Sequence, residues 1–184
     1  MSIKQSSNSR VAKDKIGTTI WFTGLSGSGK TTMANHLQKA LLNKGISSVI
    51  LDGDEVRKTI NNDLGFSISD REENNRRIAE IAKIINKSGG ITICAFITPT
   101  NKIRENIKHI IGDSNFILVF VDTPLETCEK RDKKSLYKKA KEGKVKNFSG
   151  ITSIFEEPTN PDIILDGLKS VDENIEKLLI ELKH

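Results

Sequence analysis

Gly24-Leu25-Ser26-Gly27-Ser28-Gly29-Lys30-Thr31 is the stretch on which the fold of this chain turns. It satisfies the spacing G-x-x-x-x-G-K-[ST], with a β-rich run at residues 19–23 before it and a helical pattern after it. Glycines let the backbone wrap closely around phosphate oxygens, and the amides at the start of the following helix point at the anion where the helix dipole also favours negative charge. Gly24, Leu25, Ser26, Gly27, Ser28, Gly29 and Thr32 are therefore candidate phosphate-cradling positions. Lys30 is placed to reach the β- and γ-phosphates and the Thr31 hydroxyl to ligate Mg²⁺. A merely connecting glycine-rich turn would not need Lys-Thr at those two places.

Outward from this loop, apolar runs alternate with helical patterns. The runs are residues 19–23, 49–51, 91–96, 116–121 and 163–165. Helices are expected through residue 44, in segments from about 54 to 88, after Pro99, after Pro124 and from 171 onward. This β-α alternation predicts a parallel five-stranded sheet in a three-layer α/β/α arrangement. Val49-Ile50-Leu51 and Ile163-Ile164-Leu165 are continuous rather than alternating, as strands covered on both faces require. Val171, Ile175, Leu178, Leu179 and Leu182 recur at helical spacing and predict a closing helix packed on the sheet. Pro99 and Pro124 follow strand ends, where a first helical turn tolerates the missing N–H. There is no repeat and no second domain: a polar tail over residues 1–15 precedes one domain over 16–184.

The 184 residues, 36% hydrophobic and 29% charged, have ordinary globular composition. The longest apolar run, residues 116–121, is far short of the roughly 20 residues of a membrane helix, and the N-terminus is too polar for a signal peptide. A cytoplasmic protein with no membrane partner is expected. Two cysteines and three scattered histidines offer neither a disulfide framework nor a zinc cluster. The net charge of +5 is concentrated: residues 130–146 carry nine Lys or Arg against Asp132 and Glu142. Such a run suits a nucleic-acid surface or a phosphate-covering lid. With only 5% aromatic residues and no aromatic-basic interleaving, nucleic acid is not the expected partner. A mobile lid over about 131–148, following the fourth strand, is.

The guanine-reading N-K-x-D of a GTPase fails at Asn101-Lys102-Ile103-Arg104. A motor-type ATPase would use Asp122 after residues 117–121, but Asp122-Thr123-Pro124 also reads as a helix cap with proline in the first turn. A small-molecule kinase fits the length. On the acceptor side, the second strand ends Leu51-Asp52-Gly53-Asp54, with Arg57 one turn on, where open α/β sheets bind ligands. Asp54 is the candidate to take an acceptor proton or hold Mg²⁺, and Asp52 to support the loop. A helix opens near Ser69 and Glu72 in a capping-box pattern. Arg71 and Asn74 lie one turn apart on it. An arginine in a first turn opposes the helix dipole, so either an anion waits there or Arg71 pairs with Glu73 or Asp70.

These residues resemble the adenylyl-sulfate kinase family from about residue 17 to 166. The resemblance is carried by Ile20-Trp21-Phe22-Thr23-Gly24-Leu25-Ser26-Gly27-Ser28-Gly29-Lys30, by Asp52-Gly53-Asp54-Glu55-Val56-Arg57, by Leu64-Gly65-Phe66-Ser67, and by Asp70-Arg71-Glu72-Glu73-Asn74. Ala95-Phe96-Ile97-Thr98-Pro99, Pro124 through Asp132, Leu136 through Ala140 and Asn147 through Ile151 extend it. It implies a P-loop kinase with a basic lid that transfers the ATP γ-phosphate, with Mg²⁺, to the 3′-hydroxyl of adenosine 5′-phosphosulfate.

The resemblance further implies that Arg57, Arg71 and Asn74 hold the phosphosulfate and that Phe66 and Phe148 sandwich its adenine, with Ile97 and Thr98 beside them. Arg131 packs on the ATP adenine, and Lys134 and Lys138 (or Lys139) close from the lid. Cys128 is a small residue near the nucleotide, and the assembly is a homodimer. Thr98 stands where the family's serine has been proposed as a phosphorylated intermediate; direct transfer makes it a positioning residue. Thr98-Pro99-Thr100-Asn101 replaces the family's usual Ser-Pro-Tyr-Arg, and Asp132-Lys133-Lys134-Ser135 its Asp-Pro-Lys-Gly. Two alternatives remain open: a kinase of this scaffold acting on another nucleotide-linked anhydride or nucleotide, and a non-catalytic ATP-binding regulator that touches nucleic acid.

Overall fold

The computed structural model describes residues 17–132 and 135–182. Its centre is a sheet of five parallel strands in the order β2-β3-β1-β4-β5, with β1 Thr19–Thr23, β2 Ser48–Asp52, β3 Ile91–Ala95, β4 Phe116–Asp122 and β5 Ile163–Asp166. Alternation along β1 sorts its side chains. Ile20 and Phe22 pack against α1 (Lys30–Leu42) and α7 (Val171–Glu181) on one face. Trp21 packs against α3 (Ile68–Lys87) and α4 (Asn101–Ile111) on the other, with Phe96 stacked at 5.3 Å. Flanked on both sides, β1 is buried along its whole length. The chain winds to one side of β1 for β2 and β3, then crosses to the other for β4 and β5. The carboxyl end of β1 is thus the place where the winding reverses and ligands of such sheets bind.

β2 and β5 depart from the expectation that helices cover both faces. At these edge positions cover is incomplete: Ile164 is 48% exposed while Ile163 and Leu165 are buried on the other face of β5, and Val49 is 45% exposed although Ile50 and Leu51 pack partly against the two cores. Helix boundaries also move. α1 gives way at Asn43 to a turn through Gly45, whose φ of +73° suits glycine. Between α2 (Gly53–Val56) and α3 the chain makes turns rather than a continued helix. The capping box of α3 is Ser67 with Asp70, not Ser69 with Glu72, because the helix begins at Ile68 and the box needs its acid three residues after the cap. Thr100 caps α4, so Pro99 precedes the helix. Pro124 itself precedes α5 (Leu125–Lys130), and neither Asp122 nor Thr123 caps it. Thr123 instead donates its hydroxyl to the Ser28 carbonyl at 3.0 Å, tying the end of β4 to the glycine-rich loop. The closing helix keeps its expected stripe, with Val171, Ile175, Leu178, Leu179 and Leu182 against the sheet.

Cys128 of α5 joins Tyr137, Ala140 and Phe148 in a small cluster that forms the core of the basic segment around α6 (Leu136–Lys141). Leu25 of the glycine-rich loop packs against it. Among the described residues no helix is long and apolar enough to cross a membrane. The tail over residues 1–15 and Lys134 lie outside the described residues.

Candidate active site

The loop between β1 and α1 takes its path from its glycines. Gly24, Gly27 and Gly29 all have positive φ, and a Cβ on Gly27 would lie 2.9 Å from the Cys128 carbonyl oxygen. Gly29 sits at the N-cap of α1, so the helix amides open into the loop. Lys30 folds back into it, donating from Nζ to the Gly24 and Leu25 carbonyls at 2.9 and 2.7 Å. Burial lowers its pKa from 10.5 to about 8, although Cys128, Asp52 and Asp54 pull the other way. Phosphate oxygens arriving beside this ammonium would meet a charge already stripped of water.

Thr31 donates its hydroxyl to Asp52 Oδ2 at 2.7 Å, and Asp52 Oδ1 accepts from the Asp54 amide at 2.9 Å. Asp52 therefore does more than support its loop: it caps α2 and binds the threonine of the phosphate loop. Tyr137 donates its hydroxyl to the Ser26 carbonyl at 2.7 Å and meets Phe148 edge-on at 4.8 Å, joining the basic segment to the loop.

Two hollows meet at Ser26, Gly27, Lys30, Thr31 and Asp54. One extends past the loop to Arg131, Leu136, Gly167, Lys169 and Val171, with Arg131 donating to the Gly167 carbonyl at 2.9 Å. The other gathers Asp52, Arg57, Phe66, Arg71, Asn74, Ile97 and Thr98, all expected on the acceptor side, and adds Asn75. Arg57 lies 4.7 Å and Arg71 5.5 Å from the Phe66 ring centre, and Phe66 is 54% exposed. Arg71 is held by donating from Nε to the Phe66 carbonyl at 3.1 Å and from Nη2 to the Asn147 carbonyl at 3.0 Å.

Among the described residues neither guanidinium forms an ion pair. Glu73 goes instead to Arg76 and Arg77, and Asp70 to Ser67. Burial and then the Arg57 charge bring the Arg71 pKa down to about 10. Burial lowers the Arg57 pKa as well, opposed by the charges of Asp70 and Asp54, so the pair is only partly neutralised and suits an anion.

Thr98 is 1% exposed with φ 47°; its hydroxyl accepts from Trp21 Nε1 at 2.8 Å and donates to Asn75 Oδ1 at 3.3 Å. Both bonds occupy the hydroxyl as a structural pin. Thr100 and Asn101 do not line the acceptor hollow. Asn101 Oδ1 accepts from Arg104 at 2.7 Å, its Nδ2 donates to the Glu157 carbonyl at 3.1 Å, and its backbone N–H donates to Glu156 at 2.7 Å.

Two expected residues are placed elsewhere. Phe148 is 7% exposed inside the small core of the basic segment rather than facing Phe66 across the hollow, because its ring completes the packing around Tyr137. Lys138 stands on the exposed face of α6, beside a separate depression with Glu129, Lys141 and Glu142. Cys128 is fully buried, its thiol pKa raised first by burial, and it lines neither hollow. Residues the sequence reading passed over are Asn75, hidden beside the motif asparagine Asn74; Tyr137, whose bond to Ser26 spans 111 positions; and Gly167 and Lys169.

A parallel sheet whose winding reverses at a G-x-x-x-x-G-K-[ST] loop, with a paired-arginine hollow that the loop lysine also lines, defines a P-loop kinase. The chain belongs to the adenylylsulphate kinase family, whose profile matches residues 16–166. It is 55% identical over 161 residues to an adenylyl-sulfate kinase of Bacteroides thetaiotaomicron, covering 87% of this chain and 80% of that protein. It is 50% identical over 167 residues to one from Yersinia pestis, covering 91% and 78%. The structure of a Mycobacterium tuberculosis APS kinase in complex with AMPPNP and APS superposes with a TM-score of 0.88 at 42% identity, covering 91% of this chain and 98% of that one.

Proposed function

We propose that this chain is an adenylyl-sulfate kinase, passing the γ-phosphoryl group of ATP to the 3′-hydroxyl of adenosine 5′-phosphosulfate. The observation that carries the reading is the pair Arg57 and Arg71 beside exposed Phe66, in one hollow with Lys30, Thr31 and Asp54. An adenine ring on Phe66 sets its anhydride at the guanidiniums and Asn74. ATP occupies the glycine loop, with its base toward Arg131 and Gly167.

The Thr31 hydroxyl and the Asp52 and Asp54 carboxylates are an all-oxygen donor set suited to Mg²⁺. These oxygens would hold Mg²⁺, which would supply positive charge to offset that of the phosphates. Asp54 accepts the proton of the 3′-hydroxyl as its oxygen bonds to the γ-phosphorus and the bond to the ADP oxygen breaks. Lys30 holds the departing charge. Catalysis on this arrangement is mostly positioning and electrostatics.

Thr100 and Asn101, where this chain departs from the family pattern, stand outside the acceptor hollow, which favours the phosphosulfate over another acceptor. The test is ADP release from Mg²⁺·ATP with adenosine 5′-phosphosulfate and with a panel of other nucleotides, using Lys30→Ala as control. Stimulation by the phosphosulfate, lost in the control, is expected; stimulation only by another nucleotide refutes the acceptor. A homodimer in the cytoplasm completes the proposal, and light scattering that gives a monomer would refute its first half.

A further inference from the structure

Asn74 offers the acceptor hollow one end of its amide, and the choice of end matters. Its Nδ2 would donate to a phosphate or sulfate oxygen; its Oδ1 would repel the same oxygen. The two orientations have almost the same shape, so hydrogen-bonding neighbours decide between them. Asn74 is 2% exposed, and its neighbour is Asn61, 0% exposed, in the turns before α3. Asn61 Nδ2 donates to Asn74 Oδ1 at 3.0 Å.

The orientation of Asn61 is set in turn by a group that can only donate. Arg77 Nη1 lies 3.4 Å from Asn61 Oδ1. This guanidinium is fixed by two bonds to Asp63 at 2.8 and 2.9 Å and by Nε to Glu73 at 2.8 Å. Turning the Asn61 amide over would press its NH₂ against the guanidinium. The polarity therefore runs one way, from Arg77 to Asn61 to Asn74.

We propose that Asn61, oriented by Arg77, is a positioning residue that makes Asn74 present its NH₂ rather than its carbonyl to the acceptor's phosphosulfate. This rests on the acceptor reading above and adds the group that gives Asn74 its sign. Arg77 thereby acts on an anion it does not touch, through one buried amide.

The discriminating variant is Asn61→Asp, which keeps the shape and removes the donor. With two accepting oxygens at position 61, Asn74 must turn its Nδ2 away from the hollow. The KM and the calorimetric Kd for adenosine 5′-phosphosulfate are expected to rise about tenfold or more, while KM for Mg²⁺·ATP does not follow. An added negative charge could weaken anion binding by itself, so the same change is made in an Asn74→Ala background. There the relay has no last member, and Asn61→Asp should add less than about threefold.

An effect of equal size in both backgrounds would overturn the proposal, as would an unchanged acceptor Kd in the single variant. If Asn61→Asp does not fold, Arg77→Met decides: freeing Asn61 should raise the acceptor KM about threefold or more, and no change refutes the relay. A parent protein that neither binds nor turns over the phosphosulfate would overturn the acceptor reading itself. Normal parent behaviour with indifferent variants would overturn the relay alone.

Discussion

Lys30 should make the stability of the ligand-free protein rise with pH above about 8. Its folded pKa of about 8 lies below the 10.5 of the unfolded chain because burial removes water from the ammonium. Between those values the unfolded chain binds more protons, so stability climbs as pH increases. Below the folded pKa the full penalty applies; it is relieved progressively up to the unfolded value. The displacement is worth about 3 kcal/mol at roughly 1.4 kcal/mol per tenfold.

Denaturant melts of the parent and of Lys30→Met from about pH 7 to pH 10 test this, since their difference cancels the other titrating lysines and tyrosines. The parent should gain on the variant by on the order of 1.4 kcal/mol for each pH unit above 8. Phosphate oxygens should draw the pKa back up, so ATP binding takes up close to one proton at about pH 9 and almost none near pH 7, readable by calorimetry in buffers of different ionisation heat. A parent–variant difference that is flat across the range would refute the buried-ammonium account.

Four further variants test the hydrogen bonds and the proton acceptor of the site. Tyr137→Phe loses the bond to the Ser26 carbonyl, worth about 1 kcal/mol, and should raise KM for ATP about fivefold while leaving KM for the phosphosulfate within about twofold. Thr98→Ser keeps both bonds and should stay within about threefold of parent turnover. Thr98→Val strands Trp21 Nε1 and Asn75 Oδ1 and should cost about 1–3 kcal/mol in denaturant melts. Phosphothreonine at Thr98 detected by mass spectrometry during turnover would refute the pin. Asp54→Asn should lower kcat about a hundredfold, and turnover within about threefold of the parent would remove the general-base role.

Strands and most helices were legible because their signals are local. A run such as Phe116 to Val121 is apolar enough to be buried wherever it lies. Which strands would be edges was not legible: Val49 and Ile164 look as apolar as the residues of β1, and only the order β2-β3-β1-β4-β5 leaves them half uncovered. Caps shifted by a residue or two, since Ser67 and Ser69 both stand ahead of acids at suitable spacing and the turn before α3 selects between them.

The candidate site divides along the same line. Gly24 through Thr31 were readable because eight consecutive residues build one loop, and their spacing alone fixes backbone path, helix start and lysine reach. Arg57, Phe66, Arg71 and Asn74 were named from motifs, but that both arginines lie against one ring is a fact of packing. Phe148 and Lys138 came out elsewhere because the basic segment folds around Tyr137, whose bond to Ser26 no local pattern encodes.

By itself, then, the amino-acid sequence determined the alternation of strand and helix, the phosphate loop and the chemical types available for an acceptor. Tertiary structure decided which of those groups meet and with what polarity: Thr31 on Asp52, Thr98 between Trp21 and Asn75, and Asn74 turned by Asn61. The physical reason is range. Burial periodicity and loop geometry are set within a few residues, whereas the direction of a buried hydrogen bond is set by whichever donor or acceptor the fold brings beside it.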